Sequence, residues 1–159
     1  PSTRVMRNLT TRQHNSIFPR QPCKNRPHMK TVITFGTFDV FHIGHLNIVK
    51  RARSMGSRLV VGVSSDELNH AKKGFRPLYP LEDRLAIMAA LRDVDEVFVE
   101  ESMELKRRYV EQYRADVLVM GNDWEGKFDM FKDICKVVYF PRTPAISTSE
   151  VIEKIQVDY

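Results

Sequence analysis

Two histidines three residues apart, His42 and His45, lie in a glycine-bearing segment that suits the binding of phosphate groups. The segment at 36–45 reads Gly-Thr-Phe-Asp-Val-Phe-His-Ile-Gly-His; it follows an apolar run and precedes a helical pattern. A helix N-terminus presents unpaired backbone N–H groups to an anion, and the spacing places both rings on one face of the first turn. Gly36 lets the backbone approach a ligand, and Gly44 leaves room beside the imidazoles. A histidine pair alone is more often structural, but the whole segment favours anion binding.

A second segment, at 120–128, follows another predicted strand. Gly121 permits a sharp turn, while Asn122 and Asp123 offer hydrogen-bonding groups for a base or a sugar. A Gly-Asn-Asp run is also an ordinary turn, and taken alone the segment favours that structural interpretation.

A third segment, at 141–150, opens the last predicted helix. Ser147 is suited to be the N-cap of this helix, and Glu150 would complete a capping box. Capping of the helix by itself accounts for a serine at 147 and a glutamate at 150, without any bound ligand. Arg142, the hydroxyl groups and the helix N–H groups are also suited to phosphate oxygens, so that two helix N-termini would face one triphosphate.

A basic stretch, Lys72-Lys73-Gly74-Phe75-Arg76, is typical of a solvated loop. Beside two phosphorylated reactants such a loop would also be able to close over them and supply charge. Arg84 and Arg92 lie eight residues apart on one predicted helix, and therefore on the same face. If exposed, they would be ordinary surface arginines.

The positive charge of the 159-residue chain is concentrated at its start. Residues 1–28 hold six Lys or Arg and no acid, whereas the remainder holds 19 basic and 20 acidic residues. The net charge of +5 therefore comes from this leader and is no argument for nucleic-acid binding. We expect a disordered leader at 1–28 and one domain at 29–159. The leader fits a vector-derived or mis-assigned start before Met29, a transit peptide or a basic arm.

The composition supports neither a membrane-spanning protein nor a metal-binding one. No run approaches the ~20 apolar residues that cross a bilayer. Two cysteines, Cys23 and Cys135, are too few and too far apart for a disulfide scaffold or a zinc site. We expect a cytoplasmic protein without a metal site of its own and without a membrane or nucleic-acid partner.

Apolar runs alternate with helical patterns from Lys30 onward, and the connections are short. Five runs predict parallel strands, at 31–35, 59–63, 97–99, 117–120 and 137–140. Helical patterns fall at about 45–55, 80–91, 104–114 and 148–155. We therefore predict an α/β fold: a Rossmann-like, doubly wound parallel sheet of about five strands with helices on both faces. Ligands of such sheets lie beyond the carboxyl ends of the strands, which the polar segments follow.

Together the segments resemble those of the cytidylyltransferases in the His-x-Gly-His nucleotidyltransferase superfamily, and among these the bacterial glycerol-3-phosphate family. The resemblance spans about 30–155, includes Val-Asp-Glu-Val at 94–97, and is most specific in the segment that starts at Pro141. Class I aminoacyl-tRNA synthetases share the four-letter motif. The chain is far too short for a synthetase, however, and has no Lys-Met-Ser-Lys-Ser loop.

The resemblance implies a nucleotidyltransferase domain that transfers CMP from CTP to glycerol 3-phosphate by direct in-line attack, releasing CDP-glycerol and pyrophosphate. It also implies Mg²⁺ bound through the CTP phosphates, a homodimer, and a product for a teichoic acid or a capsule. The implied catalytic residues are His42, His45, Lys72 (or Lys73 in its place), Arg84, Arg92 and Arg142. The implied nucleotide-binding residues are Gly36, Thr37, Phe38, Asp39, Gly44, Gly121, Asn122, Asp123, Thr143, Ile146, Ser147 and Thr148.

The sequence departs from the family pattern at three places. Asn122 stands where the family usually has an aspartate, Pro144-Ala145 replaces a glycine-bearing pair, and Ser149 replaces a threonine. These changes leave the phosphate chemistry intact and bear on the identity of the acceptor. The alternatives are transfer to another alcohol or polyol phosphate, adenylyl transfer from ATP, and a nucleotide-binding sensor without catalysis.

Overall fold

Five parallel strands form the centre of the molecule. The computed structural model describes residues 29–158, so the predicted leader at 1–28 lies outside the described part of the chain. The strands are β1 (Thr31–Gly36), β2 (Arg58–Ser64), β3 (Glu96–Glu100), β4 (Val117–Gly121) and β5 (Lys136–Phe140). They contain all five predicted runs and extend them by a residue or two.

Within residues 29–158, five α-helices connect or follow the strands. They are α1 (Ile43–Ser54), α2 (Asp66–Lys73), α3 (Leu81–Ala89), α4 (Lys106–Gln112) and α5 (Thr148–Asp158), with two short 3-10 helices at Asn122–Trp124 and Asp129–Asp133. None of the helices in 29–158 is long and apolar enough to span a membrane.

The strand order is β3-β2-β1-β4-β5, and every pair is parallel. The chain therefore winds outward from β1 in one direction and returns to pair β4 on its other side. The carboxyl ends of β1 and β4 flank the point where the winding reverses, which is where open α/β sheets bind their ligands. The predicted doubly wound sheet is confirmed.

Apolar side chains cover both faces of the sheet. On one face Val32 and Val61 pack with Val49 and Ala52 of α1 and Met88 of α3. On the opposite face the neighbouring strand positions, including Ile33, Val60 and Leu118, pack with α4 and the segment at 128–131. Alternate residues of one strand thus enter two separate cores, as expected for a sheet with helices on both sides.

Helix α2 was not predicted, because its eight residues are mostly polar. Ser65 caps it, accepting a hydrogen bond from the Leu68 N–H at 3.1 Å, and Gly74 ends it with a φ of +79°. These are ordinary start and stop residues of a helix. Lys72 and Lys73 consequently lie in the last turn of a helix and not in a loop.

Helix α3 is shorter than predicted, and the expectation of a shared face for Arg84 and Arg92 is wrong. The helix ends at Ala89, and the N–H of Val94 donates to the carbonyl of Leu91 at 3.0 Å. This turn redirects the chain into β3 and places Arg92 outside the helix.

Candidate active site

A cleft of about 910 Å³ opens at the carboxyl edge of the sheet. Its walls come from the loop after β1, the end of α2 with its following loop, the end of β4, and the segment that joins β5 to α5. Fourteen of the eighteen predicted site residues line it: Gly36, Thr37, Phe38, Asp39, His42, Gly44, His45, Lys72, Gly121, Asp123, Arg142, Thr143, Ile146 and Thr148. The structure thus brings four segments, which are distant in sequence, to one site.

The two imidazoles stack at the start of α1. Their ring centroids are 3.8 Å apart, with 23° between the planes. His42 is the N-cap, and its Nδ1 accepts a hydrogen bond from the N–H of Gly44 at 3.1 Å. A Cβ on Gly44 would lie 2.8 Å from the His42 ring, so glycine is needed for this approach. Because Nδ1 is an acceptor, the neutral His42 ring carries its proton on Nε2.

His45 is packed more deeply than its neighbour. Its ring contacts Phe38 edge-on at 5.5 Å and Phe41 at 5.7 Å between centroids. Within residues 29–158, Nδ1 of His45 is a buried side-chain atom without a hydrogen-bond partner. A buried polar atom left unpaired costs stability, and such an atom in a cleft indicates a place for a ligand or water.

Both histidines are uncharged at neutral pH. Burial, and then the charge of Arg142, lower the pKa of His42. Burial together with neighbouring His42 lowers the pKa of His45 to about 3, against the opposing effect of Asp39. The two histidines therefore offer neutral N–H donors, and the positive charge of the cleft comes from other residues such as Arg142 and Lys72.

The segment that carries Arg142 is held against α1 by side-chain hydrogen bonds. The amide of Asn47 donates to the hydroxyl of Thr143 at 3.0 Å, and Arg51 donates to the carbonyl of Pro141 at 2.6 Å. The N–H of Arg142 donates to the amide oxygen of Asn122 at 3.2 Å. The Asn122 oxygen thus joins the loop after β4 to the segment after β5. Asn122 itself does not line the cleft.

Helix α5 begins at the cleft as predicted. The N–H of Glu150 donates to Oγ of Ser147 at 3.2 Å, which identifies Ser147 as a cap that lies outside the cleft lining. The hydroxyl of Thr148 donates to the carbonyl of Asp39 at 2.9 Å. This bond joins the first turn of α5 to the loop after β1, so the N-termini of α1 and α5 open onto the same cleft.

Asp39 fastens the loop after β1 to the loop before α3. Its carboxylate is buried and accepts backbone N–H bonds from Val40, Leu78 and Tyr79 at 2.8 to 3.0 Å. Phe38 and Val40 on either side have φ values of +53° and +44°. Non-glycine residues rarely adopt this region, and such strain is typical of functional sites.

Arg84 is fully buried and lies outside the cleft lining. Its guanidinium donates to the carbonyls of Thr37, Ser64 and Tyr79 at 2.7 to 3.0 Å and pairs with Asp66. It does not line the cleft, and neither does Arg92, which is exposed. The resemblance implies a catalytic role for both arginines; the structure places neither in the cleft lining, because the Arg84 guanidinium binds three backbone carbonyls and Arg92 lies beyond the end of α3.

The floor of the cleft contains a charged cluster that the sequence motifs missed. Glu100, at the end of β3, is fully buried; it accepts a hydrogen bond from Oγ of Ser64 at 2.7 Å and pairs with Lys106. Nζ of Lys72 lies 3.8 Å from the same carboxylate. A charged residue at the carboxyl end of a predicted strand was the available signal.

A cleft at the reversal of winding, onto which two imidazoles and the N-termini of two helices open, fits an α/β protein that binds the phosphates of a nucleotide. A sequence profile described as cytidylyltransferase-like matches residues 33–154. The chain belongs to the cytidylyltransferase-like family.

The chain is also similar to individual proteins over most of its length. It is 47% identical over 127 residues to a glycerol-3-phosphate cytidylyltransferase of Bacillus subtilis (80% of this chain, 98% of the relative). It is 43% identical to a protein of the same description from Staphylococcus aureus (80% and 96%). A solved lipopolysaccharide core biosynthesis protein from Thermoplasma volcanium shares the fold, with a TM-score of 0.64 at 24% identity (72% and 98%).

Proposed function

We propose that this nucleotidyltransferase transfers CMP from CTP to glycerol 3-phosphate, forming CDP-glycerol and pyrophosphate. The observation that carries the proposal is the cleft itself, in which two imidazoles, Arg142 and two helix N-termini converge beside a separate lysine-bearing floor. The relatives at 43–47% identity support glycerol 3-phosphate as the acceptor.

The reaction needs no nucleophile from the protein. An oxygen of the acceptor phosphate attacks the α-phosphorus of CTP in line with the departing group. One P–O bond forms, the bond to pyrophosphate breaks, and the pyrophosphate leaves with the electron pair. Catalysis then depends on positioning the reactants and on stabilising the charge on the α-phosphoryl and pyrophosphate oxygens.

The described side chains suit these two tasks. His42 directs an Nε2–H donor away from the capped end of α1, and His45 lies stacked beside it. Arg142 and the N–H groups at the start of α5 would hold the phosphate tail from the other wall. Asp123 and the turn at Gly121 line the region left for the cytidine.

Magnesium enters this proposal as part of the nucleotide substrate. Residues 29–158 contain no group of three His, Cys, Asp or Glu arranged to hold a metal ion. The carboxylate of Asp39 is occupied by three backbone N–H groups. We propose that CTP binds as its magnesium complex, in which the ion would neutralise phosphate charge.

We also propose that the enzyme is a cytoplasmic homodimer whose product supplies a teichoic acid or a capsule. The family resemblance supports this assembly and this use. Light scattering of the purified protein tests the dimer, and a monomer at working concentration would contradict it.

The decisive experiment measures pyrophosphate release with each of the four nucleoside triphosphates and a panel of acceptors. The panel contains glycerol 3-phosphate, other polyol phosphates, phosphocholine and phosphoethanolamine. We expect turnover with CTP and glycerol 3-phosphate to exceed every other pair. Faster turnover with ATP would contradict the assignment of CTP as the nucleotide substrate. Faster turnover with another acceptor would contradict the assignment of glycerol 3-phosphate. CTP binding without release for any acceptor would indicate a sensor.

A further inference from the structure

Glu100 is the most deeply buried charge in the cleft and has no part in the reaction described above. Its side chain is only 1% exposed. One carboxylate oxygen pairs with Nζ of Lys106, and the other accepts the hydroxyl hydrogen bond of Ser64 at 2.7 Å and lies 3.8 Å from Nζ of Lys72. Strand β3 therefore ends in a carboxylate that holds side chains from α2, α4 and β2.

The cluster has more positive than negative charge. Two ammonium groups share one carboxylate, and the Lys106 side chain is 2% exposed while that of Lys72 is 21% exposed. A buried charge is costly unless it is paired. Since all three residues line the cleft, the surplus positive charge is available to an anion that enters there.

The ammonium group of Lys106 has little freedom to move. Nζ lies 3.8 Å from the centre of the Phe35 ring and 5.5 Å from that of Phe128, in addition to its pairing with Glu100. Aromatic faces attract a cation and exclude water. The rings and the carboxylate together fix where the charge lies.

We propose that Glu100 is a positioning residue for the acceptor: it holds Lys72 and Lys106 on the floor of the cleft, where they bind the phosphate of the incoming alcohol phosphate. This inference rests on the proposed transfer reaction. The proposed transfer reaction assigns the nucleotide to the histidines and Arg142, which line the same cleft, so we expect Glu100 to affect the acceptor and not the nucleotide.

Steady-state kinetics of Glu100→Gln test this assignment. We expect the KM for glycerol 3-phosphate to rise by about 10- to 100-fold, the scale that follows from misplacing a binding group, while the KM for CTP stays unchanged. Glu111→Gln is the matched control, because Glu111 forms an exposed pair with Arg107 within α4. An unchanged KM for glycerol 3-phosphate in Glu100→Gln would overturn the inference. A wild-type protein without turnover would instead overturn the proposed function.

Ser64→Ala provides a second variant if Glu100→Gln does not fold. It retains all three charges and removes only the hydroxyl that holds the carboxylate. We expect a smaller rise in the KM for glycerol 3-phosphate, again without a change for CTP. Equal rises for both substrates would contradict a role confined to the acceptor.

The pH profile separates positioning from a purely structural role. Burial lowers the pKa of Lys106 to about 8, while the charge of Glu100 opposes this decrease. The kcat/KM for glycerol 3-phosphate should therefore decline as the pH rises through about 8. In Glu100→Gln the decline should begin at lower pH, because the carboxylate that favours the ammonium form is gone. An unshifted profile would contradict the assignment.

Discussion

His42 and His45 stack on each other, but the two rings lie in different environments. His42 uses Nδ1 to cap α1, which leaves its Nε2 hydrogen for the cleft. His45 is enclosed by Phe38 and Phe41, and its buried Nδ1 has no partner in the described chain. Both rings are neutral, so they stabilise developing charge through N–H donation while Arg142 and the lysines supply the positive charge.

We predict that His45→Ala lowers kcat by about 10²- to 10³-fold, as the loss of one preorganised donor typically does. The ring packs against Phe38 and Phe41 but also lines the cleft, so we expect the variant to lose some packing and still fold. Pyrophosphate release under saturating MgCTP measures the loss, and circular dichroism verifies folding. His70→Ala, at an exposed histidine of α2 outside the cleft, is the control. Wild-type turnover in His45→Ala would refute the assigned role.

Among the elements, the loops at the carboxyl edge are cross-linked more tightly than their polar sequences suggest. Asp39 binds the loop before α3, and Arg84 binds the ends of β1 and β2. The segment after β5 is bound to α1 through Asn47 and Arg51. The cleft walls are therefore fixed relative to one another by side chain to backbone bonds.

Asp39→Asn should loosen the loop before α3. A buried carboxylate that accepts N–H bonds contributes about 1.5–3 kcal/mol, and an amide group replaces one acceptor oxygen by a donor. We expect the free energy of unfolding to fall by about 1–3 kcal/mol, measured by urea denaturation. Asp133→Asn removes only an exposed pair with Arg107 and should change stability by less than about 1 kcal/mol. Equal losses of unfolding free energy in the two variants would contradict the role of Asp39 in holding the loop before α3.

Ala145→Gly should stabilise the segment before α5. Ala145 has a φ of +54°, a region in which a Cβ is unfavourable, and it stands within the pair that is glycine-bearing in the resembled family. Relief of this strain exceeds the entropy cost of glycine and should add about 0.5–1 kcal/mol to the free energy of unfolding. Urea denaturation beside the wild type measures the gain; a loss of stability would contradict the strained turn.

For the whole molecule, the sheet and the main site were predictable from local signals. Five apolar runs and three glycine-bearing or capped segments specify a parallel sheet with a cleft at its carboxyl edge. Helix α2 was missed because only Leu68 and Asn69 are buried in it. Glu100 and Lys106 were missed because their pairing joins a strand end to another helix, and no local pattern encodes such a contact.

Global stability should depend on pH through His45. Its pKa of about 3 in the folded protein lies below the ordinary value of 6.5. Between these values the unfolded chain binds a proton that the folded chain does not, so this contribution to stability is present above about pH 6.5 and is lost as the pH falls toward 3. Thermal unfolding should therefore show a shallower decline below pH 6.5 in His45→Ala than in the wild type. Parallel curves would show that His45 is not the titrating group.

The bond from Thr148 to the carbonyl of Asp39 joins residues 109 positions apart. A growing polypeptide that has reached only β5 already holds both imidazoles but has neither Arg142 nor the start of α5. The set of groups that binds a triphosphate is thus complete only after α5 has been synthesised. A nascent chain on the ribosome should remain unable to retain CTP until α5 docks.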